Sequence, residues 1–133
     1  MSAVGLEQRI TGLLAEVNAE AGYPLSLVCT EQGLLVARDG DHLSSEQLAG
    51  LTSLFDDIVV RAHRDLGAAA VDEVTLLDPG AGRLVVRPLP IAGSPRFFLV
   101  VQAPPRARWR RNTNRLTRTL VDWLAPLVDG GDA

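Results

Sequence analysis

The residues able to do covalent chemistry in this sequence are few and far apart. Nucleophilic catalysis needs a thiol or hydroxyl within hydrogen-bond reach of a base. The single cysteine, Cys29, falls in a β-rich run, His42 in a polar loop and His63 on a helix-patterned stretch, and no spacing joins them. Cys29 is therefore expected to be a buried structural thiol, and His63 an exposed or interface side chain. One cysteine and two scattered histidines also lack any zinc-ligand spacing. Asp56 and Asp57 are adjacent on a helix, where successive side chains point about 100° apart, so they read as two solvated carboxylates and not as an acid–base pair. A phosphate cradle needs a glycine-rich turn that opens a helix. Pro79-Gly80-Ala81-Gly82 opens a strand instead and reads as a hairpin turn, so the chain is not expected to be a nucleotide hydrolase itself. No catalytic residue, metal or cofactor is expected.

The unusual chemistry lies in the run from Arg106 to Arg118, which holds six arginines and one interleaved tryptophan. Arg106, Arg108, Trp109, Arg110 and Arg111 form a candidate partner patch. Three readings stay open. The arginines can be a solvated helix start paired with acidic groups elsewhere, a contact for an acidic protein surface, or a phosphate-binding surface for nucleic acid or lipid. The net acidity of the chain argues against nucleic acid. Arginines at a helix N-terminus oppose the helix dipole, so something must compensate them.

The elements that would position these groups follow from composition and periodicity. A length of 133 residues suits a single domain spanning residues 1–133. An apolar content of 47% is ordinary for a folded chain and too high for a disordered one. No stretch approaches the roughly 20 apolar residues of a membrane helix, and the N-terminus has neither a basic n-region nor an apolar h-region. With one cysteine, this makes a cytoplasmic protein the expectation. Charge is unevenly spread. Residues 1–78 hold 13 acidic groups against 4 arginines, a balance of −9, while residues 79–133 hold 9 arginines against 3 acidic groups, a balance of +6. All basic residues are arginine; with the abundance of alanine this composition points to a bacterial source.

Leu6, Ile10, Leu13, Leu14, Val17 and Ala21 lie on one helical face, stopped by Gly22 and Pro24. Leu25–Thr30 and residues 34–38 read as a hairpin around Glu31-Gln32-Gly33. Ser44 and Gln47 have capping-box spacing before a helix that carries Leu48, Leu51, Phe55, Ile58, Val59, Ala62 and Leu66 and ends at Gly67. Leu54 and Val60 lie off that stripe and are apolar all the same. Residues 71–77 and 83–87 read as strands. Residues 97–101 form a continuous apolar run that suits a central strand buried on both faces. Asn112, Thr113 or Asn114 would cap a last helix carrying Leu116, Leu120, Leu124 and Leu127, with Pro126 at its end or at a kink. The order is α-β-β-α-β-β-β-α, an α/β (α+β) fold with a five-stranded antiparallel sheet and helices on both faces.

That order over nearly the whole chain resembles the Roadblock / dynein light-chain family. The resemblance is carried by Gly33-Leu34-Leu35-Val36-Ala37-Arg38-Asp39-Gly40, the helix through Leu48, Leu51 and Phe55, and the runs Val74–Leu77, Arg83–Pro88 and Phe98–Val101. It implies strand order 2-1-5-4-3, first and last helices on one face, and the middle helix on the other. It further implies a homodimer through the third strand and the middle helix, and a partner among small Ras-like GTPases that the protein binds, regulates or scaffolds. An unpaired third-strand edge beside an apolar helix face calls for a cover. Leu51, Leu54, Phe55, Ile58, Val74 and Leu76 are the expected interface residues. The Arg-rich segment departs from the family pattern. A secretion-effector chaperone, with strands grouped three-then-two, and a small-molecule sensor, with a polar-tipped apolar cavity, are the alternatives.

Overall fold

Leu6, Ile10, Leu14 and Val17 recur every three to four residues, and in the computed structural model they are the buried stripe of helix α1, Ala3–Ala21. The structure describes residues 3–40 and 43–128. Gly22 ends α1 in the left-handed region at φ 74°, where its N–H and that of Tyr23 both donate to the Asn18 carbonyl. Strands β1 (Leu25–Thr30) and β2 (Leu35–Asp39) follow. Helix α2 (Ser45–Leu66) opens on the expected capping box, with the Ser44 hydroxyl accepting from the Gln47 N–H and the Gln47 side chain accepting from the Ser44 N–H. It ends at Gly67, φ 71°. Strands β3 (Val74–Asp78), β4 (Gly82–Pro88) and β5 (Phe97–Ala103) lead to helix α3 (Arg110–Leu124) and a 3-10 turn, Ala125–Leu127. Pro126 sits in that turn, where the helix gives out.

The five strands form one antiparallel sheet in the order β2-β1-β5-β4-β3. β5 lies at its centre, and alternation divides its run between two cores. Phe97, Leu99, Val101 and Ala103 face α1 and α3, packed with Ile10, Leu14, Leu116 and Leu120. Phe98 and Val100 face α2, packed with Leu48 and Phe55. Only a strand buried on both sides tolerates such a sequence. Gly33 sets how closely α2 approaches the β1–β2 hairpin: at φ +82° it would place a Cβ 2.4 Å from the Ala49 backbone.

Strands β4 and β5 run slightly beyond the expected residues 83–87 and 97–101, and three other boundaries differ from the sequence expectation where side chains make bonds of their own. Residue 34 lies outside β2, since the Thr30 hydroxyl accepts from the Leu34 and Gln32 N–H groups and closes the turn. Strand β3 begins at Val74, not residue 71, because residues 71–73 are drawn toward α3 by arginines. Helix α3 begins at Arg110 with Trp109 at the N-cap and no side-chain cap. Asn112, Thr113 and Asn114, expected as caps, lie one turn inside and serve tertiary bonds instead. Leu127, expected on the buried stripe of this helix, is exposed in the 3-10 turn. Among the described residues no helix is long and apolar enough to cross a membrane.

Candidate functional site

β3 pairs with β4 on one side, and the described residues place no strand on its other side. Leu76 and Leu77 on this edge are exposed, as are Leu54, Ile58, Val60 and Leu66 on α2. The pairing register sets Leu76, Leu84, Gln102 and Leu25 side by side across four strands. With Leu43 they line an open, largely apolar groove of about 400 Å³ beside the β3 edge. Of the six expected interface residues, Leu54, Ile58 and Leu76 are exposed, and Leu51 and Val74 are half-buried against the core. Phe55 is a correction. It is 1% exposed beneath α2, because its position on the helical stripe turns it toward the sheet.

The Arg-rich segment meets the residues before β3 on the other face of the sheet. Strand alternation puts Arg83 and Arg87 on the same side as the core residue Val85. Arg87 is buried, and each nitrogen of its guanidinium has a partner. Nη2 donates to Asp72 Oδ1 at 2.7 Å, Nε to the Asp72 carbonyl at 3.3 Å, and Nη1 to Thr113 Oγ1 at 3.1 Å and to Asn114. Arg110 spans both neighbouring acids, reaching Asp72 Oδ2 at 2.8 Å and Glu73 Oε1 at 3.0 Å. The Trp109 indole N–H donates to the same Glu73 oxygen at 3.0 Å, and Thr75 donates to the other at 2.7 Å. The Arg83 guanidinium lies 4.3 Å from the centre of the Trp109 ring.

These contacts shift the acids in a consistent direction. Hydrogen bonds from Arg110 and then Arg87 hold the Asp72 carboxyl below its ordinary range. Burial pushes Glu73 up, but bonds from Thr75, Arg110 and Trp109 together outweigh it, and its carboxyl also ends low. Both groups are therefore anions at neutral pH. Sequence reading named Trp109 and Arg110 but missed Arg83, Arg87, Asp72 and Glu73. The available signal was the alternation that sets two arginines on either side of a core valine, since a charged group facing a core requires a partner.

The expected patch is thus divided. Trp109 and Arg110 are held by the protein's own acids, while Arg106, Arg108 and Arg111 are exposed and have no ion-pair partner among the described residues. Part of the charge asymmetry is neutralised elsewhere: Arg115 pairs with Glu16 and Glu20 at 3.2 Å, and Arg96 with Asp56 at 2.7 Å.

The residues considered for catalysis lie apart. Cys29 is fully buried in the α2-side core, and burial pushes its thiol up to about 12, where the nucleophilic thiolate is negligible near neutrality. His63 is exposed near the end of α2, with Nδ1 2.8 Å from the Ala68 carbonyl. Asp56 and Asp57 serve different arginines, Arg96 and Arg61. His42 lies outside the described residues. Thiol reagents are expected to label Cys29 slowly in the native protein and rapidly after unfolding, and Cys29→Ala to cost on the order of 1 kcal/mol in stability. Rapid native labelling would contradict the burial.

Neither a family model nor a curated protein matches the sequence. Solved structures do. The chain is similar to a Roadblock/LC7 domain from Streptomyces avermitilis, with a TM-score of 0.70, 17% identity and coverage of 86% of this chain and 96% of that one. It is similar to the gliding protein MglB of Thermus thermophilus, with a TM-score of 0.65, 19% identity and coverage of 93% and 91%. A type II free methionine-R-sulfoxide reductase from Thermoplasma acidophilum is also similar, at a TM-score of 0.60 and 14% identity, covering 97% and 96%. Likeness at such identities is a likeness of fold, and one fold hosts many functions. With its element order, strand order and helix placement, this chain is by its fold a Roadblock-like domain.

Proposed function

We propose that the protein is a non-catalytic, homodimeric adaptor of the cytoplasm that binds a small Ras-like GTPase and regulates or scaffolds it. The observation that carries the reading is the β3 edge, which no strand among the described residues pairs, lying beside exposed Leu76 and Leu77 and an α2 face bearing exposed Leu54 and Ile58. An open ladder edge next to apolar side chains is costly in water and is commonly covered by a symmetric copy. In such a dimer the β3 strands pair across a two-fold axis and the α2 helices meet above them. The GTPase follows from the Roadblock resemblance. Its mechanism would be contact: a rigid dimer surface that binds one arrangement of the switch loops more tightly shifts the GTPase toward that arrangement.

The test uses the Ras-like GTPases of the source organism, each loaded with GDP or a non-hydrolysable GTP analogue. Immobilised wild-type protein should retain one of them in a nucleotide-dependent manner, and a monomeric variant should lose most of that binding. Equal, negligible retention of every GTPase in both states would sink the GTPase reading and leave the dimer untouched.

A further inference from the structure

On the face of the sheet opposite α2, Arg83, Arg106, Arg108, Trp109, Arg110 and Arg111 line an open concavity of about 500 Å³. Its floor is apolar, completed by Pro105 and Ala107. Of the five arginines, only Arg110 meets carboxylates among the described residues. The start of α3 brings no acidic residue and no side-chain cap to offset them, so the charges of Arg83, Arg106, Arg108 and Arg111 are gathered here with no ion-pair partner among the described residues.

The concavity is also held in shape. The Tyr23 hydroxyl donates to the Arg108 carbonyl and accepts from Asn112 at 3.1 Å. The Ala107 N–H donates to the Pro104 carbonyl at 3.0 Å, closing a turn. The Trp109 ring is fixed by Glu73 at its N–H and by Arg83 against its ring. A surface ordered in advance loses little entropy on binding.

The protein's own acidic pair shows which chemistry this surface holds. Asp72 and Glu73 form an acidic dipeptide bound to two of its lining residues, one carboxylate bridging Arg87 and Arg110 and the next bridging Arg110 and the Trp109 indole. Arg106, Arg108 and Arg111 line the same concavity and have no ion-pair partner among the described residues. Nucleic acid fits less well. Stacking a base needs a free aromatic face, whereas Trp109 is already stacked by Arg83 and tied to Glu73.

We infer that this corner is a second docking site, for an acidic peptide segment of a partner protein. The segment's carboxylates would be read by Arg106, Arg108 and Arg111, and its stem would lie on the apolar lining at Pro105 and Ala107. The inference does not depend on the dimer or the GTPase, because the corner and the α2 surface are on opposite faces of the sheet.

The test is fluorescence anisotropy on the full-length protein with a labelled oligo-glutamate peptide, at low and at physiological ionic strength. Labelled oligothymidylate and phosphatidylglycerol vesicles are measured beside it. Saturable peptide binding that weakens with salt is expected, with preference over both comparators. Combining Arg106→Glu, Arg108→Glu and Arg111→Glu should weaken it by roughly tenfold or more. The three side chains are exposed, so the variant should keep the wild-type circular dichroism and mass. Peptide binding unchanged in that variant, tighter binding of oligothymidylate or vesicles than of peptide, or no saturable peptide binding at low salt would each overturn the assignment.

Discussion

Arg87→Ala is expected to lower the unfolding free energy by about 3 kcal/mol, from loss of several charged hydrogen bonds and of the buried stem. For a domain of this size that corresponds to a fall in Tm of roughly 10 °C. The guanidinium joins three pieces of chain: strand β4, the residues leading into β3, and the first turns of α3. Without it, Thr113 and Asn114 face a void, and the Asp72 segment loses two of its three arginine contacts. Arg87→Met should lose less, since it keeps most of the packed stem. Asp72→Asn should cost less still. The Asp72 side chain is 63% exposed, and pairs in contact with water contribute little. Thermal melts of the three variants should rank in that order. If Arg87→Ala melts within a degree or two of wild type, the network does not hold the corner together.

Leu54→Asp should separate the proposed dimer into folded monomers. Leu54 is 53% exposed in the single chain, so the substitution does little to the monomer's core. In a dimer whose α2 helices meet, the carboxylate would be buried without a partner, at about 3–5 kcal/mol per site. The dissociation constant should therefore rise at least about a hundredfold. Phe55→Ala makes the contrast: Phe55 is a core residue, and its truncation should lower Tm before it affects assembly, by about 3–5 kcal/mol in stability. If Leu54→Asp unfolds the chain while leaving mass per particle unchanged, Leu54 lies in a core contact and not an interface.

The order of the elements was legible because each rests on a strong local signal, whereas the strand order and the placement of the helices came from the family resemblance. The Phe97–Val101 run allows only a strand with both faces buried, and the Ser44–Gln47 pair marks a helix start that the backbone then follows. The connection between α2 and β3 was not legible to the same degree. Val71-Asp72-Glu73-Val74 alternates like a strand, and nothing local reveals that Asp72 is gripped by Arg87, fifteen residues away, and by Arg110, thirty-eight away. Tertiary ion pairing overrode a weak β preference there. The same long-range contacts explain the last helix. Asn112, Thr113 and Asn114 have the side chains of caps, but Tyr23 and Arg87 offered them partners one turn further in. Phe55 was placed at an interface because an apolar stripe does not say which of its members face inward; that depends on the helix's rotation about its own axis, set by packing on the sheet.

The dimer is the central claim, and its most direct test is the mass of the wild-type protein by sedimentation equilibrium over a series of concentrations. A mass twice the chain's 14.2 kDa, persisting to low micromolar protein, is the predicted result. A single species of 14.2 kDa at high micromolar concentration would contradict it, and would leave the β3 edge and the Leu54 face of α2 open to solvent.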